Sequence, residues 1–280
     1  MSTIISAQSH IQQKQRGAQP KGQVWLVGAG PGAADLLTIK AYRAIQQADV
    51  VLYDWLVDDS VLAMIPAHAQ KEFVGKRAGR HSMPQHNISQ RIVHHALQGR
   101  EVVRLKGGDP AIFARTMEET QALEAASIPY CIVPGITAAS GASASSGIPL
   151  TQRDCAQSVT FTTASLQDPK HQPDWSALVK QSCSQTLVLY MGLGRLDMIA
   201  QQLITHGMDA SMPVAVIDKA CTQAQTIIKS QMQDIANEVA QSQITGPALI
   251  ICGKVVKHQQ AVSELVLQRG TMTLDALVNH

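Results

Sequence analysis

Two glycine-rich turns and a run of basic residues between them carry most of the chemistry that this 280-residue sequence offers. Gly28-Ala29-Gly30-Pro31-Gly32-Ala33 fits G-x-G-x-x-G/A, a pattern that cradles a pyrophosphate on backbone amides, and the acids Asp49 and Asp54 follow about 20 residues later. Pro31 argues against that use, because it removes an amide N–H and fixes φ where donors are wanted. Dinucleotide binding and a tight structural turn are both open for this loop. The second turn, Gly107-Gly108-Asp109-Pro110, follows EVVRLK (101–106). Its paired glycines let a ligand approach the backbone, and Asp109 offers a carboxylate to a hydroxyl or a cation; a plain turn explains GGDP equally well.

From Lys71 to Lys106, eight basic residues (Lys71, Lys76, Arg77, Arg80, Arg91, Arg100, Arg104 and Lys106) stand against Glu72 and Glu101, a local charge of +6 in a chain whose net charge is +2. Some of these belong to solvated helix and strand faces. Gly75-Lys76-Arg77-Ala78-Gly79-Arg80-His81 reads better as an ordered loop that meets something acidic. The ten histidines show no metal-ligand spacing, and the five cysteines contain no C-x-x-C, so we expect no metal and buried free thiols.

The elements that must position these residues are readable from periodicity. β-branched apolar runs at 24–28, 49–54, 101–106 and 130–133 alternate with helical patterns at 33–47, 84–98 and 116–126, which predicts a largely parallel sheet. Ser82 and Gln85 form a capping-box pair for the helix near Pro84. After the small-residue run GITAASGASASSGIPLTQRD (135–154) the alternation resumes, with strands at 158–164, 186–191, 213–218 and 248–253. The expected organisation is a mobile tail over 1–22, one α/β domain over 23–148, a second over 149–256, and an extension over 257–280 with a peripheral helix around AVSELVLQ. At 45% apolar and 16% charged residues, the chain can bury a large core and is not a disordered one. The near-neutral balance argues against a nucleic-acid coat, and no apolar run approaches the length of a membrane span or signal peptide, which predicts a cytoplasmic protein.

VGAGPGAADLLTIKA (27–41), VGKRAGRHSMPQ (74–85), VVRLKGGDPAIF (102–113), PGITAASGA (134–142), GIPLTQRD (147–154) and LYMG (189–192), in that order, resemble the uroporphyrinogen-III C-methyltransferases of the tetrapyrrole methylase family. The resemblance runs from about Val24 to Val256. It implies two consecutive α/β domains with mixed, largely parallel sheets and an active site in the cleft between them. It also implies transfer of two methyl groups from S-adenosylmethionine to C2 and C7 of uroporphyrinogen III, giving precorrin-2 and S-adenosylhomocysteine, in a homodimer. On the family's pattern Pro31, Gly107, Gly108, Asp109, Ile112, Thr137, Ala138, Met191 and Ala220 line the S-adenosylmethionine site, Asp54 is the proton acceptor and Lys76 the proton donor. The substrate's eight carboxylates give the basic window a purpose, with Arg77, Arg80, Arg104, Lys106 and Arg153 as the expected partners.

The chain departs from the family's usual GGDPFIFGRGGEE, since Ala114, Thr116 and Met117 replace glycines, Gln152 stands where His is usual before Arg153, and Lys219 and Cys221 flank Ala220. Three other readings compete. One is a nicotinamide enzyme of the same pathway, for whose module the roughly 20 residues before the first strand leave no room. The others are a sibling methylase acting on a later corrinoid or on RNA ribose, and a non-catalytic tetrapyrrole carrier.

Overall fold

The computed structural model describes residues 21–75, 83–164, 172–180 and 184–262. Residues 1–20 of the expected tail over 1–22, residues 263–280 of the expected extension over 257–280, and the basic loop from Lys76 to Ser82, with His81, lie outside these residues. Lys21 and Gly22, counted with the tail, are instead tied to the first domain through the Ala126 and Ala96 carbonyls.

Five strands form the first sheet: β1 (Val24–Gly28), β2 (Val50–Tyr53), β3 (Gln70–Phe73), β4 (Val102–Lys106) and β5 (Tyr130–Val133). They are ordered β3-β2-β4-β1-β5, and every pairing is parallel, as the alternation predicts. Side-chain alternation sends Val24, Leu26, Val50, Leu52 and Val102 to one face and Val27, Val51, Val103 and Leu105 to the other. α1 (Ile39–Gln46) and α2 (Asp59–Leu62) cover one face, while α3 (Gln85–Leu97) and α4 (Thr116–Ala125) cover the other. The connection from β1 to β2 crosses the sheet in one direction and that from β4 to β5 in the other. The carboxyl ends of β1 and β4 are therefore the switch point where open α/β sheets bind ligands.

The second sheet contains β6 (Ser158–Thr163), β7 (Gln185–Tyr190), β8 (Pro213–Asp218), β9 (Thr226–Gln231) and β10 (Ala248–Cys252), ordered β6-β7-β10-β8-β9. Here the expectation of a largely parallel sheet needs correction. Only β6 and β7 are parallel, and the other three pairings are antiparallel. β8 and β9 are joined by a short connection, which permits only an antiparallel return. α6 (Trp175–Val179), α7 (Leu196–Thr205) and α8 (Ile235–Ala240) flank this sheet. α5 (Ala138–Ser146) also belongs to its packing, because Ala139 and Ala142 join Val188, Ile217, Leu249 and Ile251 in one buried cluster. The small-residue run thus lets a helix reached from the first sheet lie closely on the second.

At the start of α3, Pro84 is the N-cap and makes no side-chain cap bond, while Gln85 turns its amide to Glu119 at 3.1 Å. The predicted partner Ser82 lies outside the described residues.

Candidate active site at the seam of two sheets

The turns after β1 and β4 meet at the switch point. Gly30 N–H donates to the Gly108 carbonyl at 3.2 Å, and Gly108 N–H returns a bond to the Gly30 carbonyl at 2.8 Å. Both glycines have φ near +70°, where a side chain would be strained. The pairing also decides the use of the first loop. Ala29 N–H goes to the Lys106 carbonyl, Ala33 N–H to the Cys221 carbonyl, and Pro31 has none to give. A single 3-10 turn over Ala34–Leu36 follows, with no side-chain cap bond, and the next α-helix begins only at Ile39, capped by the Thr38 hydroxyl on Ala41 N–H. Amides committed in this way do not form a pyrophosphate cradle, so the dinucleotide reading falls.

The same loop binds the two sheets together. A Cβ on Gly32 would lie 2.7 Å from the Cys221 carbonyl oxygen, and one on Gly141 would lie 2.4 Å from Pro31 Cγ. Pro31 is therefore wedged between α5 and the turn after β8 that carries Ala220. Asp109 ties the next loop down: Oδ1 accepts from Ala111 N–H at 2.7 Å and Oδ2 from Gly135 N–H at 3.0 Å. Ile112 N–H closes the turn on the Asp109 carbonyl at 3.1 Å. Gly107 faces the other way, toward the loop after Asp54, where its Cβ would strike Leu56 Cβ at 2.4 Å.

From the second sheet, the Tyr190 hydroxyl lies 2.7 Å from Thr137 Oγ1 and accepts from Ala139 N–H at 3.1 Å, beside Ala138. Its ring packs on Phe113 at 4.9 Å and on Phe161 at 5.9 Å between centroids. Burial raises the Tyr190 phenol above its ordinary value, so the hydroxyl is neutral. Met191 follows, half exposed, and it shares the left-handed backbone region with Lys219, Cys221, Phe113 and Arg115. Such strain collects where structure serves a site. The expected cofactor residues Pro31, Gly108, Asp109, Thr137, Ala138, Met191 and Ala220 thus come from both sheets to one seam.

On the far side of Gly107, Asp54 directly follows β2. Its Oδ1 accepts from Leu56 N–H at 3.1 Å, and its Oδ2 accepts from Arg104 Nη2 at 3.1 Å. Exposed Trp55, Leu56 and Phe73 rim it, an apolar edge beside one carboxylate. Arg104 and Lys106 are turned inward, 5% and 3% exposed, onto the fully buried Glu119. Burial lowers the Lys106 amine below its ordinary value against the pull of Glu119. The donors expected to face substrate carboxylates are therefore taken up within the protein at these two positions. Arg153 is exposed in the turn closed by the Gln152–Ala156 bridge, while Lys76, Arg77 and Arg80 lie outside the described residues.

Sequence reasoning missed Glu119 and Tyr190. A signal for Glu119 was available, since the family's GGEE ends in the same two acids as Met117-Glu118-Glu119 here. Tyr190 lies in the LYMG segment (189–192) of the resemblance, but the family pattern gave it no role. The free cysteines also differ from expectation: Cys252 is buried, with its thiol pushed up to about 12, but Cys131, Cys155 and Cys221 are only partly buried, and Cys183 lies outside the described residues. Among the described residues no group of three His, Cys, Asp or Glu side chains could hold a metal ion.

The family model for tetrapyrrole (corrin/porphyrin) methylases matches residues 23–236. A siroheme synthase of Acinetobacter baylyi is 49% identical over 261 residues, covering 93% of this chain and 57% of its own length. A siroheme synthase of Azotobacter vinelandii is 48% identical over 253 residues, covering 90% of this chain and 54% of its own. The chain thus spans little more than half the length of these relatives. Among solved structures, a uroporphyrin-III C-methyltransferase from Thermus thermophilus complexed with S-adenosylhomocysteine aligns with a TM-score of 0.73 and 38% identity, over 85% of this chain and 100% of that one. A cobalt precorrin-4 methyltransferase aligns with a TM-score of 0.74 and 29% identity, over 86% and 99%. With the family pattern filling the seam between its two sheets, this chain belongs to the tetrapyrrole methylases.

Proposed function

We propose that this chain transfers two methyl groups from S-adenosylmethionine to C2 and C7 of uroporphyrinogen III, yielding precorrin-2 and S-adenosylhomocysteine. The observation that carries the reading is the convergence of Pro31, Gly108, Asp109, Thr137, Met191 and Ala220, from both sheets, on one seam beside Asp54. The seam is built from small residues and backbone groups, which suits a folded, largely uncharged ligand body better than a polyanion. The solved relative with S-adenosylhomocysteine bound supports the same choice.

Bound S-adenosylmethionine supplies an electrophilic methyl on a sulfonium, and the chain's work is alignment and proton handling. Orientation alone can be worth about 7 to 11 kcal/mol of barrier. Asp54 accepts the ring proton released as conjugation rearranges, held by Arg104 on one oxygen and by the Leu56 amide on the other. In this reading Lys76 donates the balancing proton, Arg77, Arg80 and Arg153 receive substrate carboxylates, and Gly107 and Ile112 complete the cofactor wall. The working form we propose is a cytoplasmic homodimer with no nucleic-acid partner. No described helix is long and apolar enough to cross a membrane.

The test is anaerobic incubation of the protein with uroporphyrinogen III and S-adenosylmethionine, following tetrapyrrole mass and S-adenosylhomocysteine together. Gain of two methyl groups per ring, slowed by about 10²- to 10⁴-fold in Asp54→Asn, supports the reading. Cofactor binding without methyl gain, or methylation only of a later corrinoid, overturns it in favour of a carrier or a sibling enzyme.

A further inference from the structure

Beneath Asp54 lies an ion cluster that no substrate can reach. Glu119, on α4, has 0% exposure. Its Oε1 accepts from Arg104 Nε at 3.2 Å and Gln85 Nε2 at 3.1 Å, and its Oε2 accepts from Lys106 Nζ at 2.6 Å. Arg104 Nη1 donates to the Leu105 carbonyl at 2.6 Å, leaving Nη2 for Asp54 Oδ2 at 3.1 Å. The residues come from four places: α3 for Gln85, α4 for Glu119, β4 for Arg104 and Lys106, and the position directly after β2 for Asp54. Arg104 and Lys106, two apart on one strand, point to the same face of the sheet.

Stability does not explain this arrangement. Burying an ion costs several kcal/mol, and apolar residues of similar volume commonly replace such clusters without loss. A guanidinium, however, is a rigid planar fork: once Nε and Nη1 are bonded, the direction of Nη2 follows. Two of those anchors are Glu119 and the β4 backbone, so the position of Nη2, and with it of Asp54 Oδ2, is set from below. The Leu56 amide on Oδ1 then completes a two-point hold on a carboxylate that stays 19% exposed toward the apolar rim. Two cations and two carboxylates balance, and removing Glu119's charge would leave Arg104 and Lys106 facing Asp54 alone.

We infer that Glu119 is a positioning residue, acting through Arg104 to orient Asp54 for proton acceptance, and that Arg104 and Lys106 belong to this internal support rather than to the grip on substrate carboxylates. The inference rests on the proposed role of Asp54. A residue that grips substrate and one that aims the acceptor differ kinetically: loss of the first raises KM, and loss of the second lowers kcat.

The experiment is steady-state kinetics with uroporphyrinogen III and S-adenosylmethionine on wild type, Glu119→Gln, Arg104→Gln, Asp54→Asn and the two doubles that contain Asp54→Asn, each checked by thermal melting and by calorimetric S-adenosylmethionine binding. Glu119→Gln and Arg104→Gln are expected to lower kcat by about 10- to 100-fold with both KM values within about twofold. Neither should reduce the residual rate of Asp54→Asn further, since each acts through that carboxylate. Gln85→Met, which removes the neutral donor to the same Glu119 oxygen and leaves every charge in place, carries the test if the other variants do not fold. Its expected effect is a threefold to tenfold fall in kcat at unchanged KM. A rise in tetrapyrrole KM at constant kcat, or losses that multiply with Asp54→Asn, overturns the inference. If wild type itself transfers no methyl group, it is the proposed function that fails, and the wild-type control shows this separately.

Discussion

The hydroxyl of Tyr190 stands 2.7 Å from Thr137 Oγ1 and caps a helix that its own sheet did not build. Thr137 is the N-cap of α5 but makes no side-chain cap bond of its own. Tyr190, at the end of β7, takes over by accepting the Ala139 N–H at 3.1 Å. Three groups on either side of the seam are thereby fixed relative to one another: the start of α5, the Met191 backbone and, through ring contact, Phe113.

Tyr190→Phe keeps the ring contacts and deletes the cap. Losing a part-buried hydrogen-bond partner costs about 1 to 2 kcal/mol, or roughly 2 to 8 °C in Tm for a chain of this size. Because Thr137, Ala138 and Met191 belong to the proposed cofactor wall, the KM for S-adenosylmethionine should rise severalfold while kcat stays within about threefold. Calorimetry and melting together check this; unchanged cofactor affinity would remove Tyr190 from the site.

At Gly28, where β1 enters the switch point, the neighbouring backbone leaves no room for a methyl group. A Cβ on Gly28 would lie 2.6 Å from Gly135 N and 2.7 Å from the Gly108 carbonyl oxygen, all backbone atoms that cannot swing aside. Gly28→Ala is therefore expected to separate the turns after β1, β4 and β5, abolish measurable S-adenosylmethionine binding, and cost about 1 to 3 kcal/mol as an overpacked core position. Gly194→Ala is the control, since its added Cβ would meet nothing within 4 Å. Equal cofactor affinity in the two variants would refute the assignment.

The first sheet was readable because its strands are buried on both faces and appear as continuous apolar runs between helices. β3 was not, since Gln70-Lys71-Glu72-Phe73 is a mostly exposed edge strand with no apolar pattern. β9, Thr226–Gln231, was hidden in the same way, and with it the antiparallel character of the second sheet. At the site, the family pattern singled out residues such as Pro31, Gly108, Asp109 and Thr137, but not the backbone and side-chain contacts that hold them together. Arg104 and Lys106 look like surface cations in sequence, because their partner Glu119 sits on a different element 15 and 13 residues away. The dinucleotide pattern at Gly28 to Ala33 also matched, and only the destinations of its amides ruled it out.

Thr116 stands where the family's pattern has glycine, and the structure gives it a task. Its hydroxyl donates to the Pro110 carbonyl at 2.5 Å, bracing a loop in which Phe113 and Arg115 both hold φ above +50°. Left-handed backbone at non-glycine residues costs on the order of 1 kcal/mol each, so such a loop needs external ties. Thr116→Gly should lose about 1 to 2 kcal/mol of stability and raise the tetrapyrrole KM severalfold, whereas Thr116→Ser, which keeps the hydroxyl, should restore both. If serine behaves like glycine, the bond to Pro110 is not what holds the loop.

Glu72 supplies a pH dependence whose sign can be worked out. It leaves edge strand β3 to meet α3, accepting from Arg91 Nε at 2.6 Å and lying 3.0 Å from His95 Nε2, with Arg100 Nη1 3.4 Å from His95 Nδ1. Burial by itself would raise the carboxyl, but the bonds from Arg91 and His95 outweigh it and hold the group below its ordinary value of 4.5. A folded value below the unfolded one means stability that is fully present above 4.5 and lost as pH falls through the folded value. Glu72→Gln should thus be less stable than wild type at pH 7, by about 1 kcal/mol or roughly 2 to 4 °C in Tm. The gap should close as pH drops below 4.5, where the wild-type carboxyl takes up its proton. Paired denaturant melts from pH 3 to pH 7 measure the difference directly. A gap that is constant over that range would show that Glu72 contributes by packing alone, and that the ion pair joining β3 to α3 carries no net stability.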